Sequence, residues 1–242
     1  MSRTKSPADI ADIRQSVLAM ERAMQAVVLY LQTAASPTSE AAHAEIDRVL
    51  ADHGCLSPEG RIVAAGARSH EPHYFGEGLI ESGQPIVIDI YPQSMDTGFF
   101  ADMTRTVCLG EPSQELQNMY DVVQQVHESS IDRLHSGASC DEIHQAAVDQ
   151  FAALGYDTTG IGSEFKYSEG FVHSIGHGVG EQVHEEPFFG GGRGHTLQVG
   201  DVITIEPGLY YKHIGGVRLE DMFLITEDGC ERLTTLPLEL KI

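Results

Sequence analysis

Positive charge, cysteine and long apolar runs are all scarce in this 242-residue chain. Against 36 Asp and Glu there are only 15 Lys and Arg, a formal net charge of −21, and no basic cluster offers a local exception. Such a surface repels nucleic acid and anionic membranes, so neither is an expected partner; small substrates and basic partners remain. The four cysteines, Cys55, Cys108, Cys140 and Cys230, are scattered and form neither a Cys-x-x-Cys pair nor a dense disulfide pattern. That favours a reducing compartment. The longest apolar run, "AVVLYL" at 26–31, falls far short of the roughly 20 residues a bilayer span needs, and "MSRTKSPADIAD" at the start has no apolar signal core. With 41% hydrophobic residues a core is readily built. The expectation is a cytoplasmic globular protein.

What is present is an order of helices and strands that runs twice. Ile10, Ile13, Val17, Met20, Met24, Val27 and Leu31 alternate at three and four, one face of a helix over 7–34, with Ser6 as N-cap, Pro7 in the first turn and Asp9 at the third position. A shorter helix over 39–53 closes at Gly54. Strands are expected at 61–66, 85–91 and 98–110, the last two joined by the hairpin loop "PQSMDTG", in which Asp96 serves the turn. Then a long helix, 114–135, follows Ser113, and another, 140–154, opens on the capping box Ser139 to Glu142. Strands are expected again at 171–179, 201–211 and 216–226, with "GGGRG" (190–194) as a surface loop. This is an α+β pattern, read either as two similar halves or as the ordinary alternation of an α+β protein. Nothing resembling a linker interrupts it, so a single domain over 1–242 is expected.

Three histidines fall in "FVHSIGHGVGEQVHEEP" (171–187). His173 and His177 are four apart, which would stack them on a helix, but Gly176, Gly178 and Gly180 would each cost about 1 kcal/mol there. An extended chain fits better, and on it His184 points the other way unless the chain turns at the glycines. Elsewhere, acidic residues interrupt apolar strand segments: Asp89 in "IVIDIYP", Asp102 in "FFADMTRT", Glu206 in "VITIEPG" and Glu220 in "GVRLEDMFLIT". Burying any one of them requires a partner. Singly, each is most simply paired with an arginine, for which Arg105 and Arg218 are at hand. Four together, in a chain this poor in basic residues, point to one or two bound cations that relieve their repulsion.

"DIYPQSMDTGFFADMTRT", "HSIGHGVGEQVHEEP", "TIEPGLYY" and "GGVRLED" together resemble the pita-bread metallopeptidases, in the Xaa-Pro branch that contains aminopeptidase P and prolidase. The resemblance runs from the first helix to "LTTLPLEL". It implies the α+β pita-bread (creatinase/aminopeptidase) fold with a curved antiparallel sheet, and a dinuclear metal site whose ligands fall on Asp89, Asp102, His177, Glu206 and Glu220. The oxygen-rich set favours Mn²⁺, with Co²⁺, Fe²⁺ or Zn²⁺ as substitutes. Asp102 and Glu220 would bridge, Glu206 would also move protons, and His73 and His184 would hydrogen-bond the substrate carbonyl. His73 is preferred over His70 because "YFGEG" follows it. His173 and Arg218 would face the substrate, and Arg193 lies close to where prolidases hold the substrate carboxylate. The implied partner is a peptide or dipeptide, with a homodimer as the candidate assembly.

Two features depart from the family pattern. Asp102 follows Asp89 by 13 positions, slightly more than usual, with the excess in a hairpin tip that tolerates insertion. Few residues precede the first helix where relatives carry a separate N-terminal domain, so a catalytic domain alone is expected. Competing readings are a methionine aminopeptidase or a C–N hydrolase of non-peptide substrates on the same scaffold, and a peptide-binding module without catalysis.

Overall fold

The computed structural model describes residues 3–159 and 169–242. Helix α1 (Pro7–Thr33) starts as its sequence dictates: the Ser6 side chain accepts from the Asp9 N–H while Asp9 accepts from the Ser6 N–H, and Pro7 occupies the first turn. Its apolar face, including Ile13, Val17, Met20, Met24, Val27 and Leu31, is buried, each such side chain contributing about 1.5–3 kcal/mol. It packs on α2 (Ser39–Asp52), capped by Thr38, and on a sheet that follows. Cys55–Leu56 (β1) pairs with Gln93–Ser94 (β4), while Arg61–Ala65 (β2), Pro85–Ile90 (β3) and Met103–Cys108 (β5) form an antiparallel sheet in the order β2-β3-β5.

The second run repeats this order. Ser113 caps α3 (Gln114–Ile131) and Ser139 caps α4 (Cys140–Ala153). The strands that follow are His177–Gly178 (β6), Glu185–Phe188 (β7), Val202–Ile205 (β8), Gly208–Tyr211 (β9), Gly215–Arg218 (β10), Asp221–Thr226 (β11) and Gly229–Arg232 (β12). Five make a sheet ordered β12-β11-β8-β6-β7, and β9 and β10 make a hairpin. The buried apolar side chains form two clusters, one built around Met20, Ile46 and Ile88 and extending to Val202 and Met222 of the second half, the other around Val123, Phe171 and Phe223. Among the described residues no helix is long and apolar enough to cross a membrane.

Several expected elements are shorter or broken, each for a physical reason that bears on the site. The 98–110 strand joins the ladder only at Met103, which leaves Asp102 at its mouth. The 201–211 strand breaks at Glu206-Pro207, because proline has no N–H for a ladder. The 216–226 strand breaks at Leu219-Glu220, where the chain changes partner: Leu219 N–H donates to Pro207 O (3.2 Å) and Glu220 N–H to Thr104 O (3.0 Å). The long third helix stops at Ile131 and continues only as turn. Of 171–179, only His177 and Gly178 are ladder residues. There the glycines explain themselves: a Cβ on Gly176 would lie 2.1 Å from Thr204 O, and one on Gly178 would lie 2.3 Å from Glu186 O. Backbones pressed that close on both sides exclude any side chain and fix the strand that carries His177.

Candidate metal centre and active site

The breaks just described place four carboxylates and an imidazole around one cavity of about 410 Å³. Asp89 comes from β3, Asp102 from the mouth of β5, His177 from β6, Glu206 from the end of β8 and Glu220 from the link between β10 and β11. Asp102, His177 and Glu220 each offer a ligand atom within 4.8 Å of the others. His177 Nε2 lies 3.6 Å from Asp102 Oδ2 and 3.4 Å from Glu206 Oε1. Its Nδ1 faces the Gly178 carbonyl at 3.2 Å; a carbonyl can only accept, so Nδ1 carries the proton and Nε2 presents a lone pair to the carboxylates.

Lone pairs facing lone pairs repel, which disfavours charge on this buried cluster. Burial, followed by Glu220, Asp89 and Glu206, raises Asp102 well above the ordinary carboxylate range; burial, Glu206 and Asp89 do the same to Glu220. Glu206 is pushed up to about 8, chiefly by burial. Burial and then His184 push His177 down to about 3, so its ring is neutral. Asp89 Oδ1 and Glu220 Oε1 are buried without a hydrogen-bond partner. Buried, unpartnered carboxylate oxygens around an imidazole nitrogen that presents a lone pair are the donors a divalent cation takes, so this donor set fits divalent metal.

Arg218 is the buried cation beside this cluster. Its Nη2 donates to Asp89 Oδ2 (2.7 Å), Nη1 to Tyr210 Oη (2.8 Å) and Pro72 O (3.3 Å), and Nε to Thr104 Oγ1 (3.1 Å). It lines the cavity and positions Asp89 and Tyr210. His173 is similarly engaged: Nδ1 donates to Ser174 O (2.7 Å) and Nε2 faces the Tyr210 hydroxyl (2.9 Å). Burial and then Arg218 push it down to about 3, so the neutral ring accepts from Tyr210. Both residues line the cavity while their polar atoms are engaged within the protein.

His184 packs against His177 with ring centroids 4.2 Å apart and planes tilted by 56°, and it is exposed. His73 is exposed at the mouth. Lost solvation lowers both: Arg218 adds to the effect at His73, while Glu59 and Asp89 oppose it at His184. Neutral, exposed rings at the cavity edge can donate to a bound carbonyl. Arg193, from the 190–194 loop, also lines the cavity, its guanidinium 4.6 Å over the Phe188 ring. His70 is held in its turn by the Ala67 carbonyl at 2.7 Å.

Residues 11–227 match metallopeptidase family M24. The chain belongs to that family. The Xaa-Pro dipeptidase of Pyrococcus furiosus is 34% identical over 199 residues, 81% of this chain and 53% of that protein. The prolidase of Pyrococcus horikoshii superposes with a TM-score of 0.86 at 30% identity over 98% of this chain and 65% of its own. The X-Pro aminopeptidase of Thermotoga maritima gives 0.86 at 31%, covering 99% and 64%. The α+β architecture is thus the pita-bread fold of these proteins. This chain spans about half the length of the curated relatives it matches.

Some supporting residues of this M24 site escaped the sequence reading. Thr104 donates to Glu220 Oε2 at 2.7 Å; its place two residues after Asp102, on the same strand face, was the available signal. Arg105 was a candidate partner for the site carboxylates but instead pairs with buried Asp221 (2.7 Å) and donates to the Glu220 carbonyl (2.6 Å). Burial works against the Asp221 charge, yet Arg105, His127 and Arg232 hold its pKa well below the usual range. Tyr210, in "GLYY", had no signal of its own.

Proposed function

We propose that this chain is a two-metal exopeptidase that cleaves the bond between an amino-terminal residue and the proline after it, in dipeptides and short peptides. The observation that carries this reading is the facing of His177 Nε2, Asp102, Glu206 and the unpartnered oxygens of Asp89 and Glu220 across one cavity. Asp89, Asp102, His177, Glu206 and Glu220 would hold the ions; oxygen dominance favours Mn²⁺, then Co²⁺, Fe²⁺ or Zn²⁺. Bound there, two divalent ions supply an acidified water and polarise a peptide carbonyl.

The rest of the chemistry belongs to the side chains. Glu206 takes a proton as the nucleophile attacks and returns one to the departing proline nitrogen. His73 and His184 donate hydrogen bonds to the carbonyl oxygen as its charge grows. Thr104 and Arg218 keep Glu220 and Asp89 from rotating away. The proline nitrogen has no N–H, so recognition falls on ring shape and on the free amino group. Arg193 lines the cavity, and in this reading it meets a substrate carboxylate. Support from relatives is of the same kind, since proteins named Xaa-Pro dipeptidase and X-Pro aminopeptidase share this fold at 30% identity or more.

The test is a Mn²⁺-reconstituted assay on Xaa-Pro dipeptides, Xaa-Pro tripeptides and Met-Ala peptides. Hydrolysis confined to the Xaa-Pro substrates is expected. Preference for Met-Ala would make the chain a methionine aminopeptidase, and binding of two ions without turnover of any peptide would overturn the peptidase reading.

A further inference from the structure

One wall of the cavity has no part in the chemistry above: Glu59, Ile62, Phe75 and Tyr91. Ile62 sits opposite Asp89 in the β2–β3 ladder, so this wall adjoins the metal centre. Glu59 and Gly60 form the turn entering β2, and a Cβ on Gly60 would lie 2.6 Å from the Phe75 ring and 3.4 Å from the Tyr91 hydroxyl. Two aromatic side chains therefore converge beside the residue next to Glu59. Phe75 is 52% exposed, an open aromatic face.

Glu59 is exposed and has no ion-pair partner among the described residues. The arginine nearest in sequence, Arg61, is engaged by Asp47. Glu59 itself lines the cavity, together with Tyr91 and His184. Of the two arginines lining the cavity, Arg218 is committed to Asp89 and Arg193 lies over Phe188. An apolar floor, aromatic faces and an unpaired carboxylate are together suited to a long aliphatic side chain that ends in a cation. A carboxylate-bearing side chain would be repelled there, and a short apolar one would leave Glu59 without a partner.

Resting on the Xaa-Pro reading, we infer that Glu59, Ile62, Phe75 and Tyr91 form the subsite for the side chain of the residue before proline, and that Glu59 makes it select lysine or arginine. The substrates so defined are peptides beginning Lys-Pro or Arg-Pro.

The experiment compares kcat/KM of the Mn²⁺-loaded chain on Lys-Pro, norleucine-Pro and Glu-Pro, norleucine having a lysine-like stem without the charge. Lys-Pro should exceed norleucine-Pro by about five-fold, the upper range for a solvent-exposed charge pair, with Glu-Pro the poorest. In Glu59→Gln the Lys-to-norleucine ratio should fall to about one, and in Glu59→Lys the order should turn in favour of Glu-Pro. A wild-type ratio of one, or a preference that Glu59→Gln leaves intact, overturns the inference. Calorimetric titration with L-lysinamide and L-norleucinamide reads the same contrast without turnover. Tighter lysinamide binding that is lost in Glu59→Gln, with no Xaa-Pro substrate cleaved, would sink the peptidase reading while keeping the subsite; equal binding of the two amides would sink the subsite.

Discussion

Raising the pH should weaken the metal-free protein, and Glu206 sets the scale. Its carboxyl is raised from an ordinary 4.5 to about 8, by burial first. A folded-state pKa above the unfolded one means that the fold accommodates the protonated form. The stability this contributes is complete below about pH 4.5 and is lost as pH rises through about 8. Asp102 and Glu220 are raised by the same causes and act in the same direction. Over the whole interval, about 3.5 pH units at about 1.4 kcal/mol each come to ~5 kcal/mol, a large share of the ~5–15 kcal/mol that holds a typical domain together. The lower part of the interval is contested. His173 and His177 are pushed from 6.5 to about 3, so their contribution grows as pH rises towards 6.5 and offsets the carboxylates there. Between pH 6.5 and 8 only the carboxylate effect remains, about 1.5 pH units or ~2 kcal/mol from Glu206. Urea midpoints measured in EDTA across that window should fall, and Glu206→Gln should make the slope shallower, Asp102 and Glu220 supplying the remainder. Divalent metal displaces the same protons, so the loaded protein should show a flat profile and metal uptake at pH 7 should release protons to the buffer. A metal-free midpoint that stays level or climbs between pH 6.5 and 8 would refute the reasoning.

Elemental analysis should find two divalent ions per chain after reconstitution, with most of that metal lost in Asp102→Ala and Glu220→Ala and a melting temperature that drops on chelation. His184→Ala and His73→Ala should retain the metal while kcat falls, each by a factor equivalent to about 3 kcal/mol if it donates to the oxyanion; loss of metal from either would move that histidine into the ligand set. Arg193→Ala should raise KM for Xaa-Pro dipeptides about thirty-fold, near 2 kcal/mol for a charge-assisted pair, and leave tripeptides little changed. Equal effects on both would mean that Arg193 does not meet the substrate carboxylate.

The helices and their starts were written locally. Ser6, Thr38, Ser113 and Ser139 each cap the helix that follows, and α1 buries the face its three-four spacing marks, because caps and periodicity involve residues only a few positions apart. The acidic interruptions at Asp89, Asp102, Glu206 and Glu220 were equally legible, since a charge among β-branched residues contradicts its surroundings wherever the strand ends up. The same pattern could not say which charges meet. Asp221, next to Glu220, turned out to be the carboxylate that needed Arg105, while Arg218 went to Asp89 across 129 positions. Nor could it show that Tyr210 would join Arg218 to His173, or that Glu59 would bear on the same cavity as Glu206. Strand pairing decides these contacts. Alternation along one strand says which face a side chain takes, but which strands lie beside it, and in what register, depends on backbone ladders closed between distant segments and on glycines such as Gly176 and Gly178 that let them approach.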